Sequence, residues 1–206
     1  MDNREKIILS AIEVFGERGL YGARMEEIAK RCKLNKAMLY YYFNSKDNLF
    51  METLVWIVQG IFGEMYTREI HAFENSSYTP LEKIKAFISI QLDTFSSRIE
   101  YAKLFNFALG HEPDRVREAV ITALDRRGLR GPELIYEIFD EGVKDGIFRS
   151  FDYSHALINI IGMTLIHVIA VPISEIIIGK KVADEQKFIE ERRTSIIDLV
   201  FKGILA

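Results

Sequence analysis

The stretch LNKAMLYYYFNSKDNLF, residues 34–50, sets Tyr40, Tyr41, Tyr42 and Phe43 between Lys36 and Lys46, with no acid before Asp47. Rings and ammonium groups packed this densely suit contact with a nucleic acid. Lysines neutralise phosphates, tyrosine hydroxyls donate to phosphate oxygens, and aromatic rings pack on sugars and thymine methyls. The competing account is a packed aromatic cluster beneath an ordinary solvated face, since aromatic side chains mostly serve packing. Helical geometry shows what the run would present. At about 100° per residue, Phe43 falls about 40° from Leu39, so these two face inward together. Lys36, Ala37, Tyr40 and Tyr41 then share an outward face that is flat, aromatic and basic. Ala37 is small enough to let a helix approach the edges of the bases.

The neighbouring elements must hold that face in place. Ile8, Ala11, Ile12 and Phe15 form an i, i+3, i+4, i+7 stripe that Gly16 and Gly19 are expected to break. Met25, Ile28, Ala29 and Cys32 make a second, short helix. Lys33-Leu34-Asn35 is the turn, with Asn35 capping a third helix at Lys36 and Ser45 capping a fourth that starts at Lys46 and runs to about Phe73. Two short helices joined by such a turn form a helix-turn-helix, whose second helix can lie in the DNA major groove. Thr79-Pro80-Leu81-Glu82 reads as N-cap, proline at the first helical position and glutamate at the third, so a further helix begins there. Gly110, Gly131-Pro132, Gly146 and Gly179 punctuate the remainder. With no hairpin signal and no sustained alternation, the expected fold class is all-α.

Charge supports a local, not a global, polyanion partner. The 206 residues hold 27 Lys+Arg against 30 Asp+Glu, a formal net charge of −3, yet residues 28–46 carry Lys30, Arg31, Lys33, Lys36 and Lys46 and no acid. The single cysteine, Cys32, excludes an intrachain disulfide framework and a cysteine-built zinc cluster and fits a reducing cytoplasm. It reads as a core thiol on the Met25-Ile28-Ala29 face in preference to an oxidant sensor. Asp2, Arg4, Glu5 and Lys6 interrupt the start before any long apolar run, which argues against a signal peptide. Residues 156–174 run without a formal charge at nearly bilayer-spanning length. Asn159, Thr164, His167, Pro172 and Ser174 would be costly against lipid, so the segment is expected to be a buried helix and no membrane partner is expected. His71, His111, His155 and His167 lack metal-ligand spacing, and no GxSxG, phosphate-loop or dinucleotide fingerprint is present, so neither a metal, a cofactor nor an enzyme is expected.

The segment GERGLYGARMEEIAKRCKLNKAMLYYYFNSKDNLF, residues 16–50, resembles the DNA-binding segment of the tetracycline-repressor (TetR) family of regulators. The matching positions are Gly19, Ile28, Ala29, Leu34, Leu39, Tyr40, Tyr41, Tyr42, Phe43, Ser45, Lys46, Asp47 and Leu49. The resemblance covers the first quarter of the chain and implies an all-helical regulatory domain, a homodimer and a small-molecule effector for the rest. Three positions depart from the family pattern. Arg24 stands at the cap of the second helix where threonine is usual, Lys33 replaces the turn glycine, and Lys36-Ala37-Met38 replaces a Lys-Gly-Thr-like triplet. Arg24 cannot accept the helix amides but can reach a phosphate, while a positive φ at Lys33 would cost on the order of 1 kcal/mol. The expected organisation is a three-helix DNA-binding domain over residues 1–47 and a larger helical effector-binding and dimerisation domain over 48–206. Arg24, Asn35, Lys36, Ala37, Tyr40, Tyr41, Tyr42 and Lys46 are the expected contacts to double-stranded DNA at a palindromic operator.

In the helix after Pro80, Ile84, Phe87, Ile88, Gln91 and Phe95 form the inward stripe, so Gln91 needs a partner for its amide, either a ligand or a neighbouring helix. His167 poses the same choice, and Tyr101, Phe105 and Phe139 either line a cavity or fill the core. Gln91, Phe95, Tyr101, Phe105, Phe139 and His167 are therefore the candidate ligand residues. The last two helices, expected over 153–178 and 183–205, carry an apolar seam through Phe188, Ile189, Ile196, Ile197, Val200 and Ile204 that would pair with a second copy as a four-helix bundle. The resulting expectation is a cytoplasmic, ligand-responsive regulator, a repressor released from a palindromic operator by a small organic effector. The alternatives are a helical small-molecule-binding enzyme and a membrane-associated helical protein.

Overall fold

The computed structural model describes residues 2–74, 77–97, 99–127, 132–179, 181 and 186–206; the side chains of 62, 64–66, 69–72, 74, 99–100, 127, 167 and 172 lie outside that description. Eleven helices occupy the described residues, and the only β-type pairing among them is an isolated bridge between Phe148 and Leu205. In chain order the helices are α1 (Asn3–Gly22), α2 (Met25–Arg31), α3 (Lys36–Phe43), α4 (Lys46–Glu74), α5 (Pro80–Ser97), α6 (Ile99–His111), α7 (Pro113–Arg127), α8 (Glu133–Lys144), α9 (Tyr153–Ile169), α10 (Val171–Ile178) and α11 (Gln186–Ile204). They group into two compact units. One holds Met1–Phe62 with Arg98–Gly128, the other Gly63–Ser97 with Leu129–Ala206, and α4 contributes to both.

The first unit is built on the predicted α1 stripe. Asp2 caps α1 by accepting the Glu5 amide at 2.7 Å, and Ile8, Ala11, Ile12 and Phe15 are all buried, with Phe15 edge-on to Phe50 at 5.0 Å. Gly16 does not break the helix as expected. Its backbone stays helical, and the interruption falls at Gly19 alone, where φ is 66° and ψ 178°. The reason is packing: a side chain at Gly19 would strike Phe107 of α6, which lies against α1.

Ion pairs join α1, α4 and α7 within this unit. Glu52 accepts from both Arg4 and Arg126, and Asp47 accepts from Arg115 at 2.7 Å. The hydrogen bond from Arg126, with the charges of Arg126 and Arg4, holds the Glu52 carboxyl below its ordinary 4.5 in spite of burial. A carboxylate whose pKa is depressed on folding stabilises the fold above its unfolded pKa, and this stabilisation is lost as pH falls through the folded value. Glu52→Gln should thus lower stability by about 1–2 kcal/mol near neutral pH, and the gap to wild type should close towards ~pH 3. Urea unfolding at both pH values would expose a gap that fails to close.

The second unit packs α5, α8, α9 and α11 around Ile84, Phe87, Ile88, Leu92, Ile138, Phe139, Ile160 and Ile196. Its entry is the predicted capping box: Glu82 accepts the Thr79 amide at 2.8 Å while Thr79 Oγ1 accepts the Glu82 amide at 3.4 Å. Asp93 of α5 accepts from Arg68 of α4 and Arg193 of α11, and these bonds outweigh the burial that would otherwise raise its pKa. Two expectations fail in this unit. The helix expected over 153–178 divides at Ala170 (φ −114°, ψ 42°) because Pro172 starts a new helix at its first turn. The seam of α11 also turns inward: Phe188, Ile196, Val200 and Ile204 are buried in the core of their own unit, with Ile189 and Ile197 packed against it. On these helices the large apolar residues that remain exposed are Ile158 and Ile166 on α9, Leu199 on α11 and Ile173, Ile176, Ile177 and Ile178 on α10. Among the described residues no helix is long and apolar enough to cross a membrane.

Candidate nucleic-acid interface

Helix α2 begins without a side-chain cap. Arg24 stands at the N-cap with extended backbone and makes no capping bond, as its chemistry requires, while Glu27 accepts instead from Arg18 at 3.0 Å. The turn that follows is strained at one place. Lys33 takes φ 57°, the left-handed value its glycine-like position demands, and Leu34 donates its amide to the Ala29 carbonyl at 3.0 Å to close the turn. Asn35 then starts α3, its Oδ1 accepting the Met38 amide at 2.8 Å. At the far end Asn44 (φ 60°) terminates α3, and Ser45 Oγ accepts the Asn48 amide at 3.0 Å to start α4.

These caps fix which face of α3 is free. Leu39 and Phe43 are buried, as the wheel predicts, and the Arg4 guanidinium lies 5.4 Å over the Phe43 ring. Lys36, Ala37, Tyr40 and Tyr41 are exposed, with Tyr41 at 79 %. Tyr42 is half-buried and meets Tyr41 edge-on at 5.3 Å, so it supports the outward ring as well as bordering the face. Lys46 is held in place, its ammonium donating to the Ala23 carbonyl at 3.1 Å between the ends of α1 and α2. That bond uses one of its three hydrogens.

The acid-free run of the sequence is not acid-free in space. Glu26 of α2 accepts from Lys36, whose ammonium also lies 5.6 Å over the Tyr40 ring, and this bond raises the lysine pKa while lowering that of the glutamate. Arg31 is bound by Glu17 and Glu13 of α1 and has its pKa raised, chiefly by the Glu17 hydrogen bond. Arg24, Lys30 and Lys33 are exposed and make no ion pair or side-chain hydrogen bond among the described residues. Sequence reasoning also passed over Tyr21, which is 81 % exposed at the end of α1; the signal was its place beside the Gly19 break. Cys32 is buried against Ala29, and burial pushes its thiol pKa up, in keeping with a core thiol.

The candidate ligand residues are divided between the two units. Gln91 and Phe95 are buried on α5, and the Thr164 hydroxyl donates to Gln91 Oε1 at 2.6 Å, so a neighbouring helix occupies the amide oxygen. Phe139 is fully buried among Phe151 and Tyr153. Tyr101 and Phe105 are partly buried on α6, which belongs to the first unit, where the Tyr101 ring lies against Gly60. The side chain of His167 lies outside the described residues. Among the described residues no group of three or more His, Cys, Asp and Glu is arranged to hold a metal ion.

Residues 7–53 match the family model of bacterial regulatory proteins, tetR family, a span that contains α2, α3 and the start of α4. The HTH-type transcriptional regulator RutR of Escherichia coli K12 is 31 % identical over 103 residues, half of this chain and 46 % of RutR, so the chain spans less than half the length of that relative. The HTH-type transcriptional repressor KstR2 of Rhodococcus jostii is 27 % identical over 147 residues, 71 % of this chain and 68 % of that protein. The solved structure of the ketosteroid transcriptional regulator KstR2 of Mycobacterium tuberculosis has the same fold, with a TM-score of 0.69 and 17 % identity over 100 % of this chain and 96 % of that one. Residues 7–53, the segment that carries the helix-turn-helix, thus match the tetR family of bacterial regulatory proteins, and the fold is shared along the whole length of the chain.

Proposed function

We propose that the protein is a cytoplasmic, ligand-responsive transcriptional regulator that binds a palindromic operator as a homodimer and is released from it by a small organic effector. The observation that carries the reading is the outward face of α3, where Ala37, Tyr40 and Tyr41 stand exposed over the buried Leu39 and Phe43. Residues 1–47 form the DNA-contacting part. Ala37 and Tyr41 meet base edges and methyls; Lys36, Tyr40 and Tyr42 flank them, and Arg24, Asn35 and Lys46 bind phosphates at the ends of α2, α3 and α4. The regulatory part is 48–206, and names such as transcriptional repressor KstR2 among the relatives favour repression. The outer face of α9, with Ile158 and Ile166 exposed either side of Gly162, offers an apolar surface for the second copy. As long as Gln91, Phe95, Tyr101, Phe105, Phe139 and His167 are the effector candidates, the effector is organic and larger than a metal ion.

Fluorescence anisotropy over a salt series tests the DNA reading. On a duplex enriched from a random pool, Ala37→Glu and Tyr41→Ala should weaken binding at least about tenfold, the loss expected when one or two good base contacts go. Lys46→Ala should weaken enriched and random duplexes alike and reduce the salt slope by about one. Glu26→Gln, which frees Lys36, should strengthen binding. Unchanged affinity in all four variants would return the aromatic run to a packing role.

A further inference from the structure

We propose that Lys33, in the turn between α2 and α3, is a DNA-phosphate contact, and that a lysine stands on this left-handed backbone because its ammonium binds the duplex beside the groove that α3 enters. Lys33 has φ 57°. Glycine takes that conformation freely, whereas a side chain with a Cβ strains it, so the fold alone favours glycine there. No contact inside the protein offsets the strain. The Lys33 side chain is exposed and makes no hydrogen bond or ion pair among the described residues. The turn is closed by main-chain bonds that glycine would make equally well, from the Lys33 amide to the Lys30 carbonyl at 3.3 Å and from the Leu34 amide to the Ala29 carbonyl at 3.0 Å. A strained residue with no internal partner points to a role outside the chain.

Charge and position identify that role. Of the cations in residues 28–46, Lys36 is paired with Glu26, Arg31 with Glu17, and Lys46 donates to the Ala23 carbonyl. Lys30 and Lys33 keep their ammonium groups unengaged among the described residues, and Lys33 stands nearer in the chain to α3. It precedes Lys36 by three positions, a chain distance of at most about 11 Å, and its four-carbon stem extends its reach. The major groove is about 12 Å wide and is bordered by the two phosphate backbones. With the start of α3 in that groove, the Lys33 ammonium comes within reach of the bordering phosphates and not of the base edges on the floor. A compact charge on a flexible stem suits a phosphate and carries no sequence preference.

The inference rests on α3 being the groove-facing helix, so Tyr41→Ala accompanies the test as the report on that reading. Full-length variants are compared by fluorescence anisotropy on the enriched and random duplexes from about 50 to about 200 mM salt, and by urea unfolding without DNA. Lys33→Gly should bind both duplexes about threefold or more weakly per bound copy at the low-salt end, with the salt slope smaller by about one per copy. The same variant should be the more stable protein, its folded-to-unfolded ratio raised about fivefold by relief of the strain. Lys33→Gln keeps the strain and removes the charge, so it should lose the same slope with an unfolding midpoint near wild type, and Lys33→Arg should restore the slope. Wild-type slopes in Lys33→Gly and Lys33→Gln, with Tyr41→Ala still losing the enriched duplex, would overturn the phosphate contact and leave the reading of α3 standing. A slope lost in Lys33→Gly but kept in Lys33→Gln would trace the effect to turn geometry and overturn the contact as well. Wild-type binding by the Lys33 variants and by Tyr41→Ala together would overturn both.

Discussion

Gly142→Ala will lower the unfolding free energy by about 2 kcal/mol or more, although alanine is the better helix former by about 1 kcal/mol. The glycine lies inside α8, and a Cβ there would stand 2.1 and 2.3 Å from two ring atoms of Phe148. That ring cannot easily retreat. Phe148 is buried in the core of the second unit, its amide donates to the Gly142 carbonyl at 2.9 Å, and it pairs with Leu205 through the isolated bridge. Phe148→Leu in the same chain should recover part of the loss, so a double-mutant cycle in urea will show a favourable coupling between the two sites. Strict additivity would mean that the helix and the ring separate without strain.

The other large effect is expected at Gly19. Its φ of 66° and ψ of 178° lie in a region open essentially to glycine alone, and a Cβ would come 2.7 Å from Phe107 Cζ. The Phe107 ring is stacked on His111 at 4.2 Å, which limits its room to move. Backbone strain of roughly 1–3 kcal/mol adds to the clash, so Gly19→Ala should destabilise the chain by about 3 kcal/mol and reduce the fraction able to bind DNA. Gly16→Ala is the control. That glycine is helical, and its Cβ would make an ordinary 4.0 Å contact with Leu104, so the substitution should be neutral or stabilise by up to about 1 kcal/mol. A midpoint for Gly19→Ala no lower than that of Gly16→Ala would remove the special role of Gly19.

Local rules made the helix-turn-helix legible in the sequence. The Asn35 and Ser45 caps, the buried Leu39 and Phe43, the left-handed Lys33 and the capless Arg24 each follow from residues within one or two turns. Non-local neighbours decided the rest. Glu26 reaches Lys36 from the preceding helix, and Phe107 settles which of two glycines interrupts α1. The α11 seam is apolar whether it meets its own core or a second copy, so periodicity alone could not say which; the structure turns it inward. Gln91 illustrates the same limit, because a buried amide announces a need for a partner without naming Thr164.

Selection of duplexes from a random pool by the full chain tests the central claim most directly. The account predicts enrichment of two inverted half-sites spaced by about one helical turn or a multiple of it, with enrichment lost for Ala37→Glu and Tyr41→Ala under conditions where both variants remain folded. No enriched sequence, or the same sequence enriched by both folded variants, would contradict the assignment of α3 as the helix that reads DNA.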